Sequence, residues 1–327
     1  MTTTPALPAF RLNTSGDVVQ PITTHNVIGE NNGLPLFEIR FNVNGREFSG
    51  RWDSRRPLLS ANSKLRKAPG KAGRYRAIGL AMAPANYSGR ELCVWRTEGC
   101  TLACNGFWSG MNVTISTRLA LIGRALLWNN FRSLFVEKLF RELSNFGKLC
   151  ARSGVLPAVR LNVSTDIVWE RLLPELFTEF PTLNLYDYTK ALPKHRPTLP
   201  RNYTLCHSFN ERTTSADVRD IVDSGRNVVI AFDSAYAPQR KLWGALPASV
   251  RFTNDAGLDF ELPVINADRH DIRLTAVDGR GVVQGLHGKS GRSRVDSAVD
   301  SGFMLHHAAG AQLRPVSRFI GSVHVHR

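Results

Sequence analysis

The sequence lacks any run of about 18 consecutive apolar residues, the length that a membrane-spanning helix needs. Its N-terminus also lacks a basic stretch followed by an apolar one, so no secretory signal peptide is predicted. Neither the G-x-S-x-G elbow of serine hydrolases nor the H-E-x-x-H motif of zinc peptidases occurs. We therefore expect a cytoplasmic protein without membrane association. The sequence matches the defining motif of neither serine hydrolases nor zinc peptidases.

Acidic residues are scarce, since 27 Asp and Glu stand against 42 Lys and Arg and give a formal net charge of +15. Such an excess favours polyanionic partners, namely nucleic acid, nucleotides or phosphates. The other interpretation is a basic protein with no specific nucleic-acid partner. Part of this charge lies in residues 55–76, which are predicted to form an exposed loop. Its basic side chains would either contact phosphate groups or form a solvated surface. They are Lys64, Arg66, Lys67, Lys71, Arg74 and Arg76.

Regular elements are predicted from residue 35 onward, and the first thirty or so residues are predicted to be without regular structure. Residues 35–52 alternate apolar and polar side chains around Asn44-Gly45, which predicts a β-hairpin. Apolar residues at helical spacing predict one long helix over 117–149. Strands are predicted over 75–82, 158–165, 183–190, 203–209, 227–233 and 281–286, with helices over 168–179 and 214–223.

Strands that alternate with helices are typical of parallel sheets joined by crossovers. We therefore predict an α/β fold, a complete or partial (β/α) barrel of the TIM type. It would comprise an N-terminal flexible segment and β-hairpin extension (1–54), a barrel-like domain with the cysteine cluster (55–305) and a C-terminal extension (306–327).

Polar side chains share one face of several predicted strands. A parallel sheet flanked by helices is normally apolar on both faces, so a ligand site at the carboxyl ends of the strands would explain them. The alternative is an antiparallel sheet with one wet face. On the first interpretation, Asp166 and Lys190 are the candidates for proton transfer or anion binding. The predicted substrate-binding residues are Arg160, Asn162, Ser164, Tyr188, Ser208 and Asn210.

Three cysteines lie within twelve residues, Cys93, Cys100 and Cys104, with the spacing C-x6-C-x3-C. Three thiolates in one loop can hold a soft or borderline metal, or an iron–sulfur cluster such as [4Fe–4S] with one iron left free. Zinc is the rival, and its fourth ligand would be Cys206, His207 or His287. Three buried cysteines without a metal are the structural alternative.

The order of motifs resembles the "gene product 88"-like family of phage proteins. The elements that carry the resemblance are the cysteine loop, the long helix, the strand with Arg160, Ser164 and Asp166, and the run Tyr188-Thr189-Lys190. It covers roughly residues 60–305 and implies a phage-encoded protein in the host cytoplasm. It also implies a barrel like that of radical S-adenosylmethionine enzymes, without assigning a reaction. The cysteine spacing departs from C-x3-C-x2-C of that superfamily, and Asn105 departs from the expected Tyr-Ala.

Two further segments are candidates for chemistry. Asp268, His270 and Asp271 could bind a divalent ion or act as acid and base, or could form a polar turn. The glycines around Lys289 in GLHGKSG could cradle a phosphate, but they match no known phosphate-loop pattern, and a flexible loop is the simpler interpretation.

We therefore predict a phage enzyme that depends on a metal or iron–sulfur cluster, of radical type if S-adenosylmethionine also binds. Its substrate would be a nucleotide or a nucleic-acid-related molecule. The alternative is a non-catalytic nucleic-acid-binding protein with a structural zinc.

Overall fold

The structure is a computed structural model. It describes residues 24–43, 45–61, 65, 70–108, 114–234, 236–237, 242–253, 257–289, 292–307 and 322–326. Three residues of the predicted basic loop, Lys64, Arg66 and Lys67, lie outside this range, as do residues 1–23 and most of the C-terminal extension.

An antiparallel three-stranded sheet opens the described chain: β1 (Thr24–Asn31), β2 (Leu34–Val43) and β3 (Arg46–Asp53). The predicted hairpin is β2 and β3. The first strand was not predicted, because its sequence THNVIGEN has little apolar alternation. It pairs with β2 through the backbone, and Val27 and Ile28 stay exposed.

The second sheet contains ten strands in the order β15-β12-β13-β14-β9-β8-β7-β6-β5-β4. The six neighbouring pairs between β13 and β5 are all parallel, as predicted, which rejects the antiparallel alternative for these strands. In chain order the strands after the first sheet are β4 (Leu59–Ser60), β5 (Tyr75–Leu80), β6 (Leu156–Arg160), β7 (Asn184–Thr189), β8 (Tyr203–Ser208), β9 (Val228–Phe232), β10 (Tyr236–Ala237), β11 (Leu242–Trp243), β12 (Ser249–Thr253), β13 (Asp259–Asn266), β14 (Val283–His287) and β15 (Ser322–His326). Strands β10 and β11 form a separate antiparallel pair.

The predicted barrel is not confirmed. Within the described residues, the outermost strands β4 and β15 are not paired with each other, so the architecture is an α/β fold with an open, mostly parallel sheet.

Helices connect the parallel strands, and the two longest replace one predicted helix. The helices are α1 (Glu98–Leu102), α2 (Asn105–Trp108), α3 (Ile115–Asn130), α4 (Arg132–Arg152), α5 (Trp169–Leu172), α6 (Glu175–Glu179), α7 (Ser215–Asp223), α8 (Thr275–Asp278) and α9 (Arg292–Asp300). Phe131 separates α3 from α4 because its φ of −133° and ψ of 56° are not helical. The predicted helix over 168–179 is likewise interrupted before Pro174, which disfavours helical geometry at Leu173.

The largest core lies between the three-stranded sheet, α3, α4 and the outer face of the parallel sheet. The apolar positions predicted for the long helix form much of it, including Ile122, Leu126, Phe135, Leu139 and Leu143, all essentially buried. This core covers one face of the parallel sheet, and the candidate site lies on the other side. In the part of the chain described, no helix is both long and apolar enough to cross a bilayer.

Candidate active site

A cavity of about 690 Å³ lies at the carboxyl ends of the parallel strands. Its wall takes residues from the ends of β5, β6, β7, β8 and β14, together with α3 and the segments after β5 and β6. The volume is in the range of small-molecule sites. Ligands of parallel α/β proteins bind at this edge, because the segments that carry functional side chains leave the sheet there.

All three cysteines of the predicted ligand set line this cavity, and each is a partly exposed residue that forms no disulfide. The Cys93 thiol accepts a hydrogen bond from the Ala85 N–H at 3.2 Å and donates to the Ser164 carbonyl at 3.8 Å. Burial raises the pKa of the Cys93 thiol well above its ordinary value, the Ala85 N–H opposes this, and the nearby Cys104 and Cys100 add to it. The trio therefore converges on one site.

Helix α1 carries Cys100 and is anchored at its N-terminus. Thr97 caps the helix, and Glu211 accepts from both the Thr97 hydroxyl (2.7 Å) and the Gly99 N–H (2.8 Å). Position 99 has no room for a side chain, because a Cβ there would collide with Ser301 and Phe303. The cysteine loop is thus held against the segment that follows α9.

The donor chemistry of the trio suits a soft metal or a three-cysteine cluster. Within the described ranges, however, no three Cys, His, Asp or Glu side chains are grouped closely enough to hold a metal ion. Of the three candidate fourth ligands, only His287 is among the cavity-lining residues. The Cys206 thiol faces the Arg273 carbonyl, and His207 bonds to Ala191 and Thr213.

Asp166 and Lys190, the predicted catalytic residues, line the cavity together. The Asp166 carboxylate accepts the Lys190 backbone N–H at 2.9 Å and lies 3.6 Å from the buried Arg196 guanidinium. Burial raises the pKa of Asp166, although these neighbours oppose the shift. Burial opposes the charge on Lys190, but Cys100 and Asp166 outweigh it and raise the pKa of Lys190. A carboxylate and an ammonium group therefore lie beside the cysteines.

Arg160 and Tyr188 form another part of the wall. The Arg160 guanidinium pairs with Asp271 at 2.9 Å and lies 4.2 Å from the centre of the Tyr188 ring. The Tyr188 hydroxyl accepts from Arg273 at 3.0 Å, and burial raises the pKa of Tyr188 to about 12. Both side chains are fixed by partners within the chain and present rigid surfaces to a ligand.

The remaining predicted binding residues differ in their positions. Ser164 and Ser208 line the cavity, and the Ser164 hydroxyl donates to Met82 O at 2.6 Å. Asn162 also lines it, but its amide is engaged with Thr165, Ile167, Trp169 and Asp187.

Asn210, predicted to bind substrate, is not among the cavity-lining residues. Its amide bonds to the neighbouring backbone of Ser208 and Arg212. The reason is that β8 ends at Ser208, so the strand alternation does not extend to position 210.

The acidic segment 268–271 is divided between two cavities. Asp268 lines the cavity and pairs with His287 (Nδ1–Oδ2 2.6 Å) and Lys289. His270 lines a separate cavity of about 440 Å³ with Lys71 and Arg269. Asp271 also lines the first cavity, where it is the partner of Arg160, and the three residues do not form one metal site.

Sequence reasoning missed several features of the cavity. It named His287 as a possible zinc ligand and Lys289 as part of a possible phosphate loop, but it did not predict their contacts with Asp268. Arg56 and Arg124 also line the cavity. The one signal for Arg124 is a charge in the otherwise apolar run ALIGRALLW on α3.

A family model described as Gene product 88 matches residues 56–307. This range is close to the one over which the sequence motifs resemble that family. No curated protein and no solved structure matches the chain.

Proposed function

The chain belongs to the Gene product 88 family, and from that premise we propose that it is an enzyme whose active site is the cysteine-lined cavity. Cys93, Cys100 and Cys104 would hold an iron–sulfur cluster or another thiophilic metal, and the substrate would be a nucleotide or a nucleic-acid-related molecule. The observation that carries this proposal is that one cavity collects the three thiols together with Lys190 and Asp166.

The cofactor part of the proposal depends on the donor set. Three cysteines that form no disulfide line the cavity, and a backbone N–H already donates to the Cys93 sulfur. A bound cluster would supply one-electron chemistry, with S-adenosylmethionine as the co-substrate suggested by the resemblance to radical enzymes. The thiols would have to move together on loading, since no ligating group of three is assembled among the described side chains.

The protein's own groups have separate roles in this proposal. Lys190 would offset the negative charge of the cysteine thiolates and donate a proton or bind an anionic group of the substrate. Asp166 would position Lys190 by accepting its backbone N–H. Arg160 and Tyr188 would form a rigid wall, because Asp271 and Arg273 hold them in place. The apolar residues Phe209, Phe303 and Met304 would limit access of water.

We also propose that the open sheet curves round the site as a partial barrel. The segment 267–274, which follows β13, lies against β6 and β7 through the Arg160–Asp271 and Tyr188–Arg273 contacts. Four strand spacings separate β13 from β7, roughly 19 Å in a flat sheet. Ile272 and Arg273 are fully buried, which supports a sheet that wraps around them. A crystal structure with a flat sheet and this segment exposed would contradict the partial barrel.

The cofactor proposal is tested by iron, acid-labile sulfide and zinc content, with visible absorption, after anaerobic purification. We expect bound iron and sulfide in the wild type and a loss of both in Cys100→Ala. Cys150→Ala is the matched control, because this cysteine is buried in α4 and does not line the cavity. A folded, colourless wild type that carries stoichiometric zinc would end the cluster hypothesis, and a folded wild type without any metal would end both.

The second candidate is a non-catalytic nucleic-acid-binding protein with a structural zinc, favoured by the net charge of +15. It predicts DNA or RNA binding that weakens steeply with salt, because phosphate contacts release counterions. It also predicts indifference to S-adenosylmethionine. Titrations at two salt concentrations, beside one with S-adenosylmethionine, separate the two candidates. In either case the free cysteines suit a reducing compartment such as the host cytoplasm.

A further inference from the structure

One side of the cavity is built by β4, the end of β5 and α3, and we call it the arginine side. Its members are Arg56, Ser60, Ala81, Thr117 and Arg124, and all of them line the cavity. None of them belongs to the cysteine loop or to the strand faces on which the proposed function rests.

The guanidinium of Arg124 is fixed by neutral groups. Its Nε donates to the Pro57 carbonyl at 3.2 Å, and its Nη1 donates to the Ala81 carbonyl at 3.1 Å. An arginine carries five N–H donors in one plane. Over the ranges that the structure describes, the other three have no hydrogen-bond partner within the chain, so the group is oriented and still has donors for a ligand.

A second guanidinium, that of Arg56, lines the same cavity. Burial lowers the pKa of Arg124 to about 10, Arg56 acts in the same direction, and Glu142 opposes it. Glu142 is itself engaged by the Leu58 and Leu59 N–H groups and by Lys138. Two like charges at one wall are unfavourable unless an anion joins them.

Three of the other cations of the cavity differ from this pair, and the fourth, Lys190, lies beside Cys100 and Asp166. Arg96, Arg160 and Lys289 each have a carboxylate partner within 3.0 Å: Glu91, Asp271 and Asp268. In the described part of the chain, Arg56 and Arg124 have no carboxylate partner within 4.0 Å. The arginine side therefore contributes positive charge that Glu142 offsets from a distance and that no described carboxylate pairs with directly, and a walled cavity concentrates its field.

We infer that Arg124 and Arg56, with the Ser60 and Thr117 hydroxyls, form the subsite for an anionic oxygen group of the ligand, a phosphate or a carboxylate. The planar donor fork of arginine suits either group. This inference deepens the proposed function and rests on it for the identity of the site. Phosphate is the favoured source, because the proposed substrate is a nucleotide.

The test is isothermal titration of the full-length protein with inorganic phosphate, AMP, adenosine and citrate. We expect AMP to bind at least about tenfold more tightly than adenosine, and Arg124→Gln to remove that difference, as expected for loss of charged hydrogen bonds. Arg141→Gln is the matched control, because Arg141 is an exposed arginine on α4 paired with Glu137. Binding of citrate but not phosphate, if lost in Arg124→Gln, would assign the subsite to carboxylates.

Absence of anion binding, or equal binding by wild type and Arg124→Gln, would overturn the inference. If Arg124→Gln fails to fold, Arg56→Gln replaces it, because Arg56 is exposed, and its AMP binding should weaken while Arg141→Gln is unaffected. Repeating the titration with Cys100→Ala separates the two proposals. Arg124-dependent binding without any cluster would sustain the subsite alone, and a cluster without anion binding would sustain the proposed function alone.

Discussion

His207 shows how single buried groups tie stability to pH. It lies in the core with its ring nitrogens near the Ala191 carbonyl and the Thr213 hydroxyl, an arrangement that suits the neutral ring. Burial lowers the pKa of His207 to about 4, with the Ala191 contact opposing. Between pH 6.5 and 4 the unfolded chain therefore binds a proton that the folded chain does not.

Because the unfolded state is the more protonated one, the His207 contribution to stability decreases as pH falls through this window. It amounts to about 3 kcal/mol over the window. We expect His207→Gln to abolish this part of the pH dependence, measured by denaturant unfolding at pH 7 and pH 4.5. The prediction is wrong if wild type and variant lose stability in parallel.

Asp166 also contributes to the stability of the fold, in addition to its proposed role in the active site. From the sequence alone, Asp166→Ala is expected to leave folding intact and abolish ligand binding. The structure shows that Asp166 is the acceptor for the Lys190 N–H and a neighbour of the buried Arg196. We now expect Asp166→Ala to lower the free energy of unfolding by about 1–3 kcal/mol, the cost of unsatisfied buried groups.

Asp166→Asn keeps an oxygen acceptor and serves as the comparison. It should lose less stability than Asp166→Ala in chemical denaturation and retain more ligand binding, because it keeps the acceptor that positions Lys190. Equal stability of wild type and Asp166→Ala would show that the Lys190 and Arg196 contacts do not matter for folding.

At the scale of elements, helix α3 joins the three-stranded sheet to the main domain. Gly123 lies against the Trp52 ring of β3, and a Cβ there would collide with it. Trp52 is 1% exposed and packed among core residues, so it has little room to move. Gly123→Ala should therefore destabilise the protein by about 1–3 kcal/mol through overpacking.

Gly147 on α4 provides the matched control. A Cβ at this position would meet only Leu183, at an ordinary 3.8 Å. Gly147→Ala should stabilise the protein by about 0.5–1 kcal/mol, because alanine is the better helix former. Thermal unfolding of both variants checks the pair, and a shift of the same sign and size in each would refute the packing argument.

The elements that the sequence predicted are those with strong periodicity. The parallel strands and the hairpin were recognisable from alternation, and α3 and α4 from helical spacing. The break at Phe131 was not, because no proline or glycine marks it and only the backbone geometry shows it. Strand β1 was not predicted, because it forms through backbone pairing with β2 and has no regular apolar face.

At the scale of the whole molecule, the sequence predicted that the cysteine trio and the polar strand ends meet at one site. The trio lines one cavity with most of those polar residues, and Asn210 does not line it. The sequence could not place Asp268 beside His287, or Asp271 beside Arg160, because those contacts depend on strand order and on the path of residues 267–274. The arginine side could not be predicted either, because Arg56 and Arg124 are 68 positions apart in sequence and only the fold brings them to one cavity.

The central claim is that the three cysteines hold a metal or cluster at the cavity. X-ray absorption at the iron and zinc edges of anaerobically purified protein tests it most directly. The account predicts a shell of sulfur neighbours at about 2.3 Å, the length of a metal–thiolate bond. The shell should persist in Cys150→Ala and disappear in Cys100→Ala. A folded protein that retains no metal, or a metal with only nitrogen and oxygen neighbours, would contradict it.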